Sequence, residues 1–325
     1  MKTWRSLITP LALLLALGVA APVAAQTVLN VNTALTTDDP MYLGLERMKA
    51  NVEKRSAGRL TLRIYPGSQL GKDEDVLEQA RAGANVAVLV DGGRLAPFVK
   101  EFGIMGAPYL VDNFDQVLRL TASPLFAGWV EKLRNAANLQ VLSFDWFQGH
   151  RNLLTNVPVK VPADLKGIRM RTPGAPVWLE TVRAMGATPT GLPWSEVYSA
   201  LQTKVIDAAE AQDPAVYGAR LYEVVKILTK TQHIYLITGI VTSRAWFDKL
   251  PPDQQAILRE ESYAAGKWAS EKTIESLDDY EKKLKEKGMT IVEVDKTPFI
   301  NATAGVYEKL GYTDLRVQVN KALGK

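Results

Sequence analysis

Residues Gly149 to Asp213 read GHRNLLTNVPVKVPADLKGIRMRTPGAPVWLETVRAMGATPTGLPWSEVYSALQTKVIDAAEAQD, a stretch organised by two arginines. Arg151 opens one extended run and Arg171 closes another, IRMR. In that second run Ile168 and Met170 point to one face, Arg169 and Arg171 to the other, because strand side chains alternate. Arg169 is expected on a solvated strand face. Arg171 sits at the strand's carboxyl end, before the turn into PVWLETVRAMG. A guanidinium there offers a planar fork of N–H donors matched to a carboxylate, and it stays charged at physiological pH. Strand, helix and short strand follow one another through VIDAAEA, so the stretch reads as α/β with a place prepared for an anion.

Upstream, VLNVNTAL alternates as a first strand, and Thr36-Thr37-Asp38-Asp39-Pro40 signals the start of a helix that stops at Gly58. LTLRIYP, DEDVLEQARAG and ANVAVLV then supply strand, helix and strand. Such a βαβαβ opening builds a parallel sheet whose ligand crevice lies at the carboxyl ends of the strands. Asn32, Thr33, Thr36, Glu74 and Asp91 fall at those ends and are candidates to face a ligand. Asp38 and Asp73 read more simply as N-caps, and Glu74 divides between the site and the helix dipole. GSQLG and DGGR have neither the spacing nor the Lys-Ser/Thr ending of a phosphate loop.

Residues 94–135 read as helix, turn and helix, and NLQVLSFDWFQGHRNLLTN as two successive strands. Simple alternation puts Phe144 and Trp146 on one face, Asp145 and Phe147 on the other. Core is the plainer reading for these aromatics, with Trp146 the candidate for a stacking wall. Trp194, in a Pro-X-Ser-Glu turn, is a hinge plug or a pocket wall. A long helix from Pro251-Pro252-Asp253, with Ile257, Tyr263 and Trp268 as apolar positions, and a last helix end the chain.

A chain of 325 residues with 47% hydrophobic and 23% charged residues can bury two cores, so two lobes are expected. Lys2 and Arg5, the apolar run Leu11 to Val19 and the small residues ending at Ala25 form an export signal, which places the mature chain outside the cytoplasmic membrane from Gln26. Of the 39 basic residues, 37 remain without Lys2 and Arg5, against 35 acidic, and they are interspersed with acids. That balance argues against nucleic acid as a partner. Cysteine is absent, and His150 and His233 are the two histidines. There is little material for a transition-metal site or a His-based triad, and neither metal nor cofactor is expected.

YPGSQLG, GHRNLLTNVPVKVPADLKGIRMRTP and GATPTGLPWSEVYSALQTKVIDAAE together resemble the signature segments of the extracytoplasmic solute-binding proteins of tripartite ATP-independent periplasmic (TRAP) transporters. The resemblance runs in order over nearly the whole mature chain. It implies a two-lobed α/β periplasmic solute-binding fold with a ligand cleft between lobes and crossover strands and helices. It also implies a monomer that closes over a small organic carboxylate and delivers it to membrane permease subunits. By this resemblance Arg171 forms the bidentate salt bridge with the carboxylate, Arg151 is the second basic contact, Glu74 the acidic position and Trp194 the aromatic. Many sialic-acid-type and C4-dicarboxylate-type members read Asp-Gly-Gln-Glu-Asn where this chain has Asp207 to Ala211. The amide is missing at Ala211, which leaves Glu210, Gln212 and Asp213 as candidates beside it. Lobe I is expected over 26–148 plus 237–276, and lobe II over 149–236 plus 277–325, including the C-terminal helix. Two other classes stay open: a secreted hydrolase or lyase pairing Glu74 with Asp213 or Glu210 as acid and base, and a ligand-sensing partner of a membrane receptor.

Overall fold

A computed structural model describes residues 26–325; the leader expected over residues 1–25, with its cleavage near Ala25, lies outside the described residues. Strand β1 (Thr27–Asn32) leads into helix α1 (Pro40–Arg55), capped by Asp39 rather than Asp38: the Asp39 carboxylate accepts from the Met41 N–H, with Pro40 at the first helical position. Strands β2 (Leu60–Tyr65) and β3 (Val86–Asp91) flank helix α2 (Asp73–Arg81), and β1 pairs in parallel with both strands. The one-turn α3 (Gly92–Leu95) and a 3-10 turn over Lys100–Gly106 precede α4 (Phe114–Thr121) and α5 (Pro124–Ala137). Strand β4 (Leu139–Thr155) enters the second half of the sheet, built from β5 (Arg169–Thr172), α6 (Pro176–Ala184), β6 (Thr188–Gly191), α7 (Val197–Gln202), β7 (Ala208–Ala211) and α8 (Asp213–Gly218). Strand β8 (Ile227–Ser243) returns to the first half, followed by α9 (Arg244–Phe247) and α10 (Pro252–Glu286). The chain ends with β9 (Thr290–Val292), α11 (Thr297–Thr303), α12 (Val306–Lys309) and α13 (Thr313–Leu323).

The strands form one sheet in the order β2-β1-β3-β8-β4-β7-β5-β6, with β9 beside β8. The antiparallel β4 and β8 have 17 residues each, or roughly 55 Å at the usual rise, and both halves share them. Two strands were expected where β4 is continuous. What keeps it a single strand is a series of register shifts that bend it without breaking the ladder. One shift overturns the alternation argument. Ser143 pairs with Ile240 and Trp146 with Thr238, so β4 holds one extra residue between them. Phe144 therefore packs with Phe102 and Phe126, while Trp146 lies in the other core with Leu45, Met48 and Leu142.

Trp146 is thus a core residue, not a ligand wall. Its indole N–H donates to Ser143 Oγ at 2.9 Å. Helix α10 lies against this bent segment through small residues four apart, Ser262, Gly266 and Ser270. Ser262 Oγ is 2.8 Å from Ser143 Oγ, and Ser270 Oγ accepts from the Phe147 N–H and lies 2.8 Å from the Asp145 carbonyl. A Cβ on Gly266 would stand 2.6 Å from the Trp146 indole nitrogen, so the close approach requires glycine. Ile257 is buried as expected, but Tyr263 is exposed.

The sheet is mixed, antiparallel at its centre and parallel toward both edges, and both of its faces carry apolar cores under the helices. Val319 and Leu323 of the C-terminal helix α13, four apart, pack into the core that holds Leu120, Phe126 and Trp129 of the first half together with Val177 and Trp178 of the second. Lys325 pairs with Asp112 at 2.9 Å on the same side. Among the described residues no helix is long and apolar enough to cross a membrane, and no group of three or more His, Cys, Asp or Glu could hold a metal ion.

Candidate functional site

A cavity lies where the carboxyl ends of the parallel strands of both halves converge. From the first half it is lined by Thr33 after β1, Asp73 at the start of α2, Asp91 at the end of β3, and Arg94. Gln148 and Arg151 of β4 and Leu236 and Thr238 of β8 form its floor. The second half supplies Arg171 at the end of β5, Pro173, Trp178 of α6, Trp194 after β6 and Gln212 after β7. The halves touch beside it, Lys72 pairing with Glu196 at 2.7 Å.

Three arginines line this space, and two of them are neutralised. Arg94 is bonded to Asp91, with Glu74 at 2.8 Å and Asp73 at 3.6 Å. Arg151 is held bidentately by the Glu210 carboxylate, its Nη2 2.7 Å from Oε1 and its Nε bonded to Oε2, while Nη1 donates to Gln212 Oε1 at 3.1 Å. Arg171 is different. Its side chain is only 1% exposed, its Nε and Nη2 both donate to the Leu192 carbonyl at 2.9 and 2.7 Å, and no carboxylate is paired with it among the described residues. Burial and the nearby charge of Arg151 push it down to about 9. It is still charged at neutral pH. Trp194 stands beside it, the guanidinium carbon 5.4 Å from the ring centre.

Glu210 lies beneath the cavity wall rather than in it. It accepts from Thr172 Oγ1 at 2.8 Å and lies 3.4 Å from His233 Nε2. Burial alone would raise its carboxyl, but the charge and hydrogen bonds of Arg151, with His233 close by, outweigh burial and hold it at about 2. Asp73 shows the reverse balance: burial lifts it to about 6 against the pull of Arg94, and its Oδ1 has no partner.

The structure thus gathers six of the sequence candidates, Arg171, Arg151, Trp194, Thr33, Gln212 and Asp91, around one cavity. Six others do not line it, among them Asn32, which accepts from the Leu70 N–H, and Thr36, which is bonded to Asp38. Glu74 is at the outer rim, half-exposed and spent on Arg94. Asp213 is buried at the start of α8, accepting from Asn152 Nδ2 at 2.9 Å. Glu210 serves Arg151, and Trp146 is core. Asp73, read as a helix cap, is instead the first residue of α2 after Lys72 and reaches the cavity. Arg94, Gln148 and Thr238 were not singled out, although Arg94 follows the strand-end Asp91 at the spacing of one helical turn. Glu74 and Asp213, or Glu74 and Glu210, do not share the cavity, so the acid–base pairs read from the sequence are not assembled there.

The sequence profile of the bacterial extracellular solute-binding proteins, family 7, matches residues 31–314. The chain is 28% identical over 297 residues to the sialic acid-binding periplasmic protein SiaP of Vibrio cholerae, covering 91% of this chain and 92% of that one. A TRAP periplasmic solute-binding protein of Escherichia fergusonii, solved as an apo open structure, is 48% identical with a TM-score of 0.79, covering 91% of this chain and 99% of that one. One from Ochrobacterium anthropi with bound L-fuconate is 32% identical with a TM-score of 0.89, covering 92% and 100%. Likeness in shape reverses likeness in sequence: the ligand-bound relative superposes better than the open one.

Proposed function

We propose, for a chain that belongs to family 7 of the bacterial extracellular solute-binding proteins, that it captures a small hydroxylated organic acid between two lobes in the periplasm and delivers it to the membrane permease subunits of a TRAP transporter. The family is one of binding proteins, not of enzymes. One observation carries the reading: Arg171 is a buried guanidinium facing a cavity, and among the described residues no carboxylate forms an ion pair with it, whereas Arg94 and Arg151 beside it are each paired. A buried charge without a counter-charge is costly. A ligand carboxylate supplies the missing partner, with charge-assisted bonds that strengthen as the site closes and water leaves. The remaining walls, Thr33, Asp73, Gln148, Gln212 and Thr238, present donors and acceptors suited to hydroxyl groups. The L-fuconate carried by the relative from Ochrobacterium anthropi has that make-up, a carboxylate with hydroxyls.

Closure follows from the same balance. A ligand that bridges the halves binds the closed arrangement better than the open one and shifts the population toward it, and the closed face is what the permease would read. The long β4 and β8, common to both halves, are the elements about which the lobes would hinge.

The test is a thermal-shift screen of sugar acids, dicarboxylates and aromatic acids, then calorimetry of the best binder on Arg171→Ala. The expected loss is about 2–5 kcal/mol, the cost of truncating one partner of a buried charge pair. Unchanged affinity in Arg171→Ala would remove the basis of the proposal, as would recovery of a chemically altered acid after incubation.

A further inference from the structure

Trp178 is the first large side chain of α6, in the second half of the sheet, yet it packs into the core of the first. It is 1% exposed. The indole occupies a slot made by two glycines of the opposite half: a Cβ on Gly93 would stand 2.4 Å from its nitrogen, and one on Gly106 2.6 Å. Any other residue at either position would keep the ring out. The Arg151 guanidinium lies over the ring, 4.4 Å from its centre. The indole N–H, a donor that cannot also accept, has no protein partner, although Trp178 lines the cavity.

From this arrangement we infer that Trp178 is the closure latch, and that its N–H is reserved for an oxygen of the bound acid. The inference rests on the proposed capture of an acid and adds the residue that reports its arrival. In the open protein the N–H is exposed to water. On closing it enters the glycine slot, where no protein acceptor meets it, so closure without ligand strands a buried donor. A ligand that places a hydroxyl or carboxylate oxygen opposite the indole removes that penalty. The same side chain then both fits the two halves together and resists fitting them together while empty. Acids that satisfy Arg171 but carry no second oxygen in this direction bind without latching.

The sign of the effect separates this role from simple packing. Exchange of Trp178 for benzothienylalanine keeps the bicyclic shape and replaces the N–H with sulfur, and Trp178→Phe is the genetically encoded counterpart. Because the chain has no cysteine of its own, one introduced on each half takes a fluorophore pair, and single-molecule energy transfer reads the closed population directly. Without ligand, both exchanges are expected to raise the closed population on the order of tenfold over wild type. Gly93→Ala is expected to lower it, while Gly128→Ala, where a Cβ meets nothing within 4 Å, leaves it unchanged. A merely structural Trp178 predicts the opposite, a smaller closed population for the exchanges. A closed population equal to or below wild type overturns the latch.

With L-fuconate and D-glucuronate as probes, the benzothienyl protein is expected to bind roughly tenfold more weakly, since the ligand oxygen then lacks its donor. Unchanged affinity overturns the ligand contact. If neither acid nor any other in the screen binds wild type, the proposed capture of an acid falls, and the ligand-free measurement still decides the latch.

Discussion

Glu210→Gln is the substitution that most sharply separates the two arginines. In the folded chain the Glu210 carboxyl is held at about 2 against an ordinary 4.5, so it binds its proton less readily folded than unfolded. Its contribution is therefore fully present above about pH 4.5 and is lost as pH falls from there toward 2. The gap is worth about 3 kcal/mol at neutral pH. Removing the charge also leaves Arg151, 4% exposed, without its counter-ion. Breaking one side of a buried pair costs about 3–5 kcal/mol, so the two routes agree on the size of the loss at pH 7. A second consequence concerns the cavity. With Glu210 neutral, Arg151 joins Arg171 as an unbalanced cation, and the site should turn from single carboxylates toward dianions. Urea unfolding followed by circular dichroism at pH 7 and pH 4 measures the first effect, and calorimetry with succinate against L-fuconate measures the second. A loss below about 1 kcal/mol at pH 7, or an unchanged preference between the two acids, would refute the view that Glu210 neutralises Arg151.

Burial, the leading cause in each case, raises Asp39 and Asp145 to about 7 and Asp73 and Asp213 to about 6. Each binds its proton more tightly folded than unfolded, so stability should fall as pH climbs from about 4 through 7, and the melting temperature should be higher at pH 5 than at pH 8. Asp145 has neither carboxylate oxygen bonded, so Asp145→Asn should shrink that fall and stabilise the protein at pH 8; an identical pH profile in the variant would count against the assignment. Gly266→Ala should destabilise by about 1–3 kcal/mol through the clash of its Cβ with Trp146 and Asp145, although alanine favours a helix by about 1 kcal/mol. Thermal melting of Gly266→Ala beside Gly128→Ala checks it, and equal melting temperatures would contradict the tight seating of α10 on β4.

The α/β alternation was legible because it rests on local signals. Apolar alternation marks β1, β2 and β3, and Asp39-Pro40 marks the start of α1. Arg171 was legible for a related reason, a charged residue at a strand's carboxyl end before a proline. The bent middle of β4 was not. Its extra residue between Ser143 and Trp146 answers to α10, whose Ser262, Gly266 and Ser270 lie more than a hundred residues away. Alternation counted along SFDWF therefore assigned Trp146 to the wrong face. Asp73 was missed because an acid opening a helix is usually explained by the helix alone, and only the fold brings Arg94 and the cavity up to it.

The division of labour between Arg151 and Arg171 turns on a contact of the same long-range kind, and part of it was within reach of the sequence. In β7, Ala208, Ala209 and Ala211 are fully buried around a single acid, Glu210. A strand that short and apolar, carrying one carboxylate, must bury it against a cation, since an unpaired charge there would be too costly. The choice of cation depends on register. β7 pairs with β5 so that Ala209 faces Arg171, and with β4 so that Glu210 faces Leu153. This sets the carboxylate beside Thr172 and Arg151 and leaves Arg171 on the other side of the alternation. A slip of one residue would exchange the faces, pairing Glu210 with Arg171 and freeing Arg151. The cation left without a paired carboxylate among the described residues is thus selected by how β7 is seated, not by either arginine's own surroundings in the chain.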